Sequence, residues 1–145
     1  MSGLDRFVAA QDGVIERALA ELRGGAKTSH WMWFVFPQIA GLGHSEMARR
    51  YAIADLAEAR NYLAHPLLAP RLAAATQAML GWAGWRSAEA ILGGIDAIKL
   101  RSSMTLFDVA VGDTGTLYRT CLDAFYDGAR DPATIALLSC GSISD

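Results

Sequence analysis

The segment His30-Trp31-Met32-Trp33-Phe34-Val35-Phe36-Pro37-Gln38 constrains this chain more than any other, because it sets four aromatic rings in six consecutive apolar residues between a histidine and a glutamine. A surface rarely carries that much contiguous apolar area. The run belongs in a core, and polar groups buried beside it need hydrogen-bond partners or a ligand. Trp31 to Phe36 is also the longest strictly apolar stretch in the chain. Crossing a bilayer takes roughly 20 apolar residues. A soluble protein with no membrane partner is therefore expected, despite 52% hydrophobic residues and a mean hydropathy of +0.21.

At 145 residues the chain has the size of one domain, which bounds its organisation to a single core without metal or disulfide support. The N-terminal residues enter a helical pattern at once, with no basic start followed by an apolar stretch and a cleavage site, so a cytoplasmic location is expected. In that compartment Cys121 and Cys140 are expected as reduced thiols. The net charge is −2. Its basic residues form no stripe; Arg49-Arg50 with Arg60 and Arg71 reads as a solvated helix face, and a nucleic-acid partner is disfavoured.

Apolar residues recur at helical spacing almost throughout, and period-two alternation is nearly absent, so the fold class is all-α. The spacing predicts helices from Leu4 to Gln11, from an Asp12 cap to Gly24-Gly25, and from a Ser45 cap to Tyr51. Further ones run from the Asp55/Glu58 capping pair to Ala64, from Pro66 to Gly81, and from a Ser87 cap to Gly93-Gly94. Another spans Asp96 to Val111, the next Thr114 to Tyr126, and Asp131-Pro132 opens a last short one. The aromatic run is itself read as helix, since a lone strand would leave its backbone groups unpaired and no partner strand is evident. Pro37 and Gly41-Leu42-Gly43 end it. The expected domain covers residues 1–138, with about seven to nine helices and a polar tail at 139–145.

The helix from Asp96 has segregated faces. At roughly 100° per residue, Asp96, Lys99, Ser102, Ser103 and Leu106 share one side, and Leu100, Met104, Phe107 and Val111 form an apolar stripe. Arg101, Thr105 and Asp108 lie on a third side. Short hydroxyls are mediocre helix formers and mark places where a hydroxyl bonds something nearby, either a ligand or a carbonyl one turn earlier.

Taken together, Lys27, the Ser29–Gln38 run, Gly41-Leu42-Gly43, Ser45, Tyr62-Leu63, His65-Pro66, Arg71-Leu72, Asp96, Lys99 and Ser102-Ser103-Met104-Thr105-Leu106-Phe107 resemble the signature of a bacterial domain-of-unknown-function family. The resemblance spans about Leu4 to Leu138. It implies a multihelical fold whose central helices are buried by the others, and it implies no established activity. Members of such a family have at times carried the label calpastatin. Calpastatin repeats are disordered and polar, and this packed-globule composition gives that label no support.

Three constellations carry chemistry. Gly41, Gly43 and Ser45 lead into a helix start, where backbone N–H groups and the positive dipole end suit an anion; the plain alternative is an ordinary turn. His30 and Gln38 flank Trp31 and Trp33, rings that stack on a planar ligand or pack in the core. Lys99 with Ser102 and Ser103 on one helix face suits an anion, or else Lys99 pairs with Asp96. No metal-ligand spacing occurs, and neither metal nor cofactor is expected. No reaction can be read from these residues.

Two functions remain open. The first is a binding protein for a small anionic or nucleotide-like ligand held between the aromatic run, the Gly41–Ser45 turn and the Lys99–Ser103 face. The second is a non-enzymatic interaction module that associates with a protein partner or a second copy of itself. A ligand site requires a concave pocket lined by His30, Gln38, Lys99 and Ser102, whereas an interaction module requires those residues buried together and a flat apolar patch elsewhere.

Overall fold

A computed structural model of the protein describes residues 3–112 and 116–143, with side chains described as far as residue 139. The fold is all-α: ten helices occur among the described residues, and no strand longer than a single bridge. Helices α1 (Asp5–Gln11) and α2 (Ile15–Arg23) are followed by the four-residue α3 (Met32–Val35) and the five-residue α4 (Glu46–Arg50). Then come α5 (Leu56–Ala64), α6 (Leu68–Leu80), α7 (Ala88–Leu92), α8 (Gly94–Val111), α9 (Leu117–Tyr126) and α10 (Pro132–Ile143). No helix among the described residues is long and apolar enough to cross a membrane.

Helix α8 is the axis of the molecule. Helices α5, α7, α9 and α10 all pack on it, and every residue from Ser102 to Asp108 is buried. Over that stretch its faces are all covered, whichever side is polar. On a second layer α2 packs against α6, and α6 against α9. A chain of rings runs through the core from Phe7 to Tyr62 (centroids 5.3 Å apart), Tyr62 to Phe107 (5.2 Å) and Phe107 to Tyr118 (5.9 Å), in edge-on or tilted arrangements favoured by ring quadrupoles.

Several helix starts follow the expected cap chemistry. Ser45 Oγ accepts from Ala48 N at 3.1 Å, Asp55 Oδ1 from Glu58 N at 2.8 Å, and Ser87 Oγ from Ala90 N at 3.1 Å. Others do not. Helix α2 begins at Ile15 without a side-chain cap, because Gly13 at φ +80° turns the chain after Asp12, whose carboxylate instead meets Arg71. At α6 it is the His65 Nδ1 that accepts from Leu67 N and Leu68 N, at 3.1 and 3.2 Å. Helix α8 begins two residues before Asp96, which leaves that carboxylate in the first turn, free to bind side chains.

The aromatic run is helical only over α3. After Val35 the chain leaves the helix, and Ile39 forms a single parallel bridge with Ile53, through Ala40 N to Ile53 O (2.8 Å) and Ile53 N to Gln38 O (2.9 Å). The run does have a backbone partner, fourteen residues on, contrary to the expectation that none exists. Helix α10 continues through Ile143, so residues 139–143 extend a helix rather than begin a tail. The expected helix start at Thr114 lies outside the described residues, as does the chain end at Asp145; α9 is capped by Thr116, whose Oγ1 accepts from Arg119 N at 3.1 Å.

Candidate functional site

The residues around the aromatic run are held by one carboxylate that the sequence did not single out. Glu21, near the end of α2, accepts from Thr28 N (2.8 Å), Ser29 N (3.0 Å), Ser29 Oγ (2.6 Å) and Trp31 Nε1 (2.9 Å). Burial raises the pKa of Glu21, but these donors outweigh it and bring the carboxyl from 4.5 down to about 2. With its indole N–H satisfied in this way, Trp31 is fully buried, and its ring is closed to any ligand. Gln11, itself buried, fixes the other side of the run by donating to Phe34 O at 2.7 Å. His30 is exposed on the connecting loop.

Asp96 gathers two lysines. Lys27 Nζ lies 2.9 Å from Oδ2 and Lys99 Nζ 3.6 Å from Oδ1; Lys27 also lies over the Trp31 ring at 5.2 Å and Lys99 over the half-buried Trp33 ring at 5.4 Å. The closer, more buried lysine joins the 26–31 loop to α8, and Lys27 N donates to Ile91 O at 2.8 Å in the same seam. The Lys99–Asp96 pair is the plain alternative named from the sequence.

Ser102 and Ser103 do not join Lys99 at a surface. Ser102 Oγ donates to Asp131 Oδ2 at 3.0 Å, on the cap of α10, and Ser103 is wholly buried with no partner for its hydroxyl among the described residues. The helical spacing groups these three residues on one side, but the start of α10 covers Ser102 while Lys99 stays at the surface.

The glycine turn does border a concavity. A cavity of about 130 Å³ is lined by Gln38, Gly41, Gly43 and Arg49 together with Ile39 and small alanines. Of the four residues expected to line one pocket, Gln38 is the one found here. Ser45 stands beside the cavity as the cap of α4 and spends its hydroxyl on Ala48 N. Both glycines have packing reasons to be glycine: Gly41 has φ +104°, with Leu137 of α10 lying 3.1 Å from where its Cβ would be, and a Cβ on Gly43 would stand 2.5 Å from Ala48 Cβ. What packing does not consume is polar. The Gln38 carboxamide and the Arg49 guanidinium make no hydrogen bond or ion pair with the described residues. Arg49 is exposed, as a solvated helix face requires, and it also borders this cavity.

Elsewhere the described surface exposes Trp85 (84%), Ile95 (74%) and Ile98 (67%). The last two are one turn apart on α8, beside Lys99.

The fold recurs in a solved protein. The crystal structure of the conserved hypothetical protein Rv1873 from Mycobacterium tuberculosis, at 1.38 Å, matches with a TM-score of 0.89 and 47% sequence identity, over 94% of this chain and 96% of that one. No curated protein matches the chain. The family described as Protein of unknown function (DUF1810) matches residues 1–138. With a match over nearly its whole length, this chain belongs to that family.

Proposed function

We propose that the protein binds a small oxyanion, or the anionic end of a larger ligand, in the cavity between Gln38, the Gly41–Gly43 turn and Arg49. The observation that carries this reading is the pair of polar side chains without protein partners, one cationic and one a hydrogen-bond donor, lining the same concavity. A guanidinium offers a planar fork of donors suited to carboxylate or phosphate. Volume sets the limit. Pockets that enclose a drug-sized ligand measure upwards of about 300 Å³, so a cavity of about 130 Å³ takes a phosphate, a small carboxylate or one phosphoryl group, and a nucleotide's base and sugar stay outside. Lys99 lines no part of it.

The test is a titration of the ¹⁵N-labelled protein with inorganic phosphate, followed at the Gly41 and Gly43 amides. Saturable movement of both resonances, lost in Arg49→Gln while the remaining spectrum stays folded, supports the reading. Resonances that do not move, or that move equally in the variant, reject it.

A second reading, self-association, is favoured by Ile95 and Ile98, whose exposure on adjacent turns leaves an apolar strip uncovered on α8. Sedimentation of the wild type beside Ile98→Lys decides it: a dimer converted to monomer supports the strip as an interface, and a wild-type monomer at high concentration rejects it.

A further inference from the structure

The buried carboxylate of Asp108 organises a second polar centre on the opposite side of α8, one that neither the glycine turn nor the aromatic run touches. Its Oδ2 accepts from Arg119 Nε (2.9 Å), Arg130 Nε (3.1 Å) and Arg130 Nη2 (2.6 Å), and its Oδ1 from Thr116 Oγ1 (3.1 Å). The Asp108 side chain is 0% exposed, while those of Arg119 and Arg130 are 33% and 38% exposed. Two guanidiniums sharing one oxygen are neighbours by construction, with their inner edges bound and their outer edges in solvent.

We propose that Arg119 and Arg130 form a preorganised clamp for a phosphoryl dianion. The charge is unbalanced in that direction: among the described residues no carboxylate other than Asp108 pairs with either arginine. A third guanidinium adds to the excess, since Arg101 donates from Nε to Ala129 O and from Nη2 to Arg130 O, both at 2.8 Å. Asp131, the next residue, is spent on Ser102 and on the first turn of α10, where its Oδ2 accepts from Thr134 N and Thr134 Oγ1.

A single arginine suffices to neutralise Asp108 and tie α8 to its neighbours. The second brings a like charge into contact with the first, a cost that structure alone does not require and that a bound dianion relieves. The arginines are also fixed before any ligand arrives. Asp108 holds their inner edges, and Arg101 grips the backbone of Arg130, so little side-chain entropy is left to lose on binding. Arg119 Nη1 and Nη2 and Arg130 Nη1 remain as donors, divided between two guanidiniums. That arrangement suits the oxygens of a tetrahedral phosphoryl group, whereas a planar carboxylate fills one fork only.

The experiment follows the arginine Nε–H resonances of the ¹⁵N-labelled full chain during titration with inorganic phosphate and with phenyl phosphate, at constant ionic strength set by chloride. Saturable movement of the Arg119 and Arg130 signals is expected with both compounds, with affinity at least tenfold weaker in Arg119→Gln and also weakened in Arg119→Lys, which keeps the charge and loses the fork. Unmoved signals in the folded wild type overturn the clamp, as do shifts that chloride alone reproduces or that persist undiminished in either variant. Should Arg119→Gln fail to fold, the wild-type titration and Arg119→Lys decide. The Gly41 and Gly43 amides report the other cavity in the same spectra, so the two sites stand or fall separately.

Discussion

The indole N–H of Trp31 donates to Glu21 Oε1 at 2.9 Å, across ten residues of chain. One carboxylate therefore satisfies the only polar atom of a fully buried indole and, through Thr28 and Ser29, shapes the loop leading to it. The aromatic run is core because this bond allows it to be.

This bond makes stability acid-sensitive in a defined window. The folded pKa of Glu21 is depressed from 4.5 to about 2, so its contribution is complete above the unfolded value and is lost as pH falls from 4.5 towards 2. Thermal melts across that range are expected to show a steeper fall in Tm for the wild type than for Glu21→Gln. Parallel curves would remove Glu21 from the acid response.

Truncation within the aromatic run is expected to be graded by burial. Trp31 and Phe36 are 0% and 1% exposed, and replacing either with alanine is expected to cost about 3–5 kcal/mol, enough to leave the domain barely folded. Trp33 is half-buried, with one face against Lys99. Its alanine variant is expected to lose less and to keep a cooperative urea transition; equal losses at all three positions would contradict the ordering.

Asp108 is expected to matter more than its two arginines. Burial raises its pKa, but the hydrogen bonds from Arg119, Arg130 and Thr116 outweigh that and hold the carboxyl below its usual value. Breaking a buried pair typically costs ~3–5 kcal/mol, and the Asp108→Asn loss is expected near the lower end because both guanidiniums reach solvent. The group's contribution is present above the unfolded carboxyl pKa and is lost as pH falls through the folded one. Urea melts at neutral and acid pH are therefore expected to show the gap between wild type and variant closing on acidification.

The Gly43–Ala48 contact predicts a coupling. A Cβ at Gly43 would stand 2.5 Å from Ala48 Cβ, so Gly43→Ala is expected to destabilise by about 1–3 kcal/mol through overpacking. Ala48→Gly alone costs roughly 1 kcal/mol in helix propensity. The double variant is expected to be more stable than the sum of the two losses allows; strict additivity would show that the turn relaxes on its own.

Much of the fold was legible because helices announce themselves locally. The 3.6-residue spacing identified the helical class, and Ser45, Asp55, Ser87 and Asp131 marked helix starts because a cap bonds an N–H only a few residues away. The aromatic run declared itself core through sheer apolar area. Which side of α8 would be covered was not legible. Spacing put Lys99, Ser102 and Ser103 on one face, but a helix pattern says nothing of which neighbour arrives, and the start of α10 covered Ser102 while Lys99 stayed at the surface. Glu21 under Trp31 and two arginines on Asp108 were likewise decided in three dimensions. Each joins residues from different elements, and side-chain chemistry alone does not reveal which charges and donors the packed helices will bring within bonding distance.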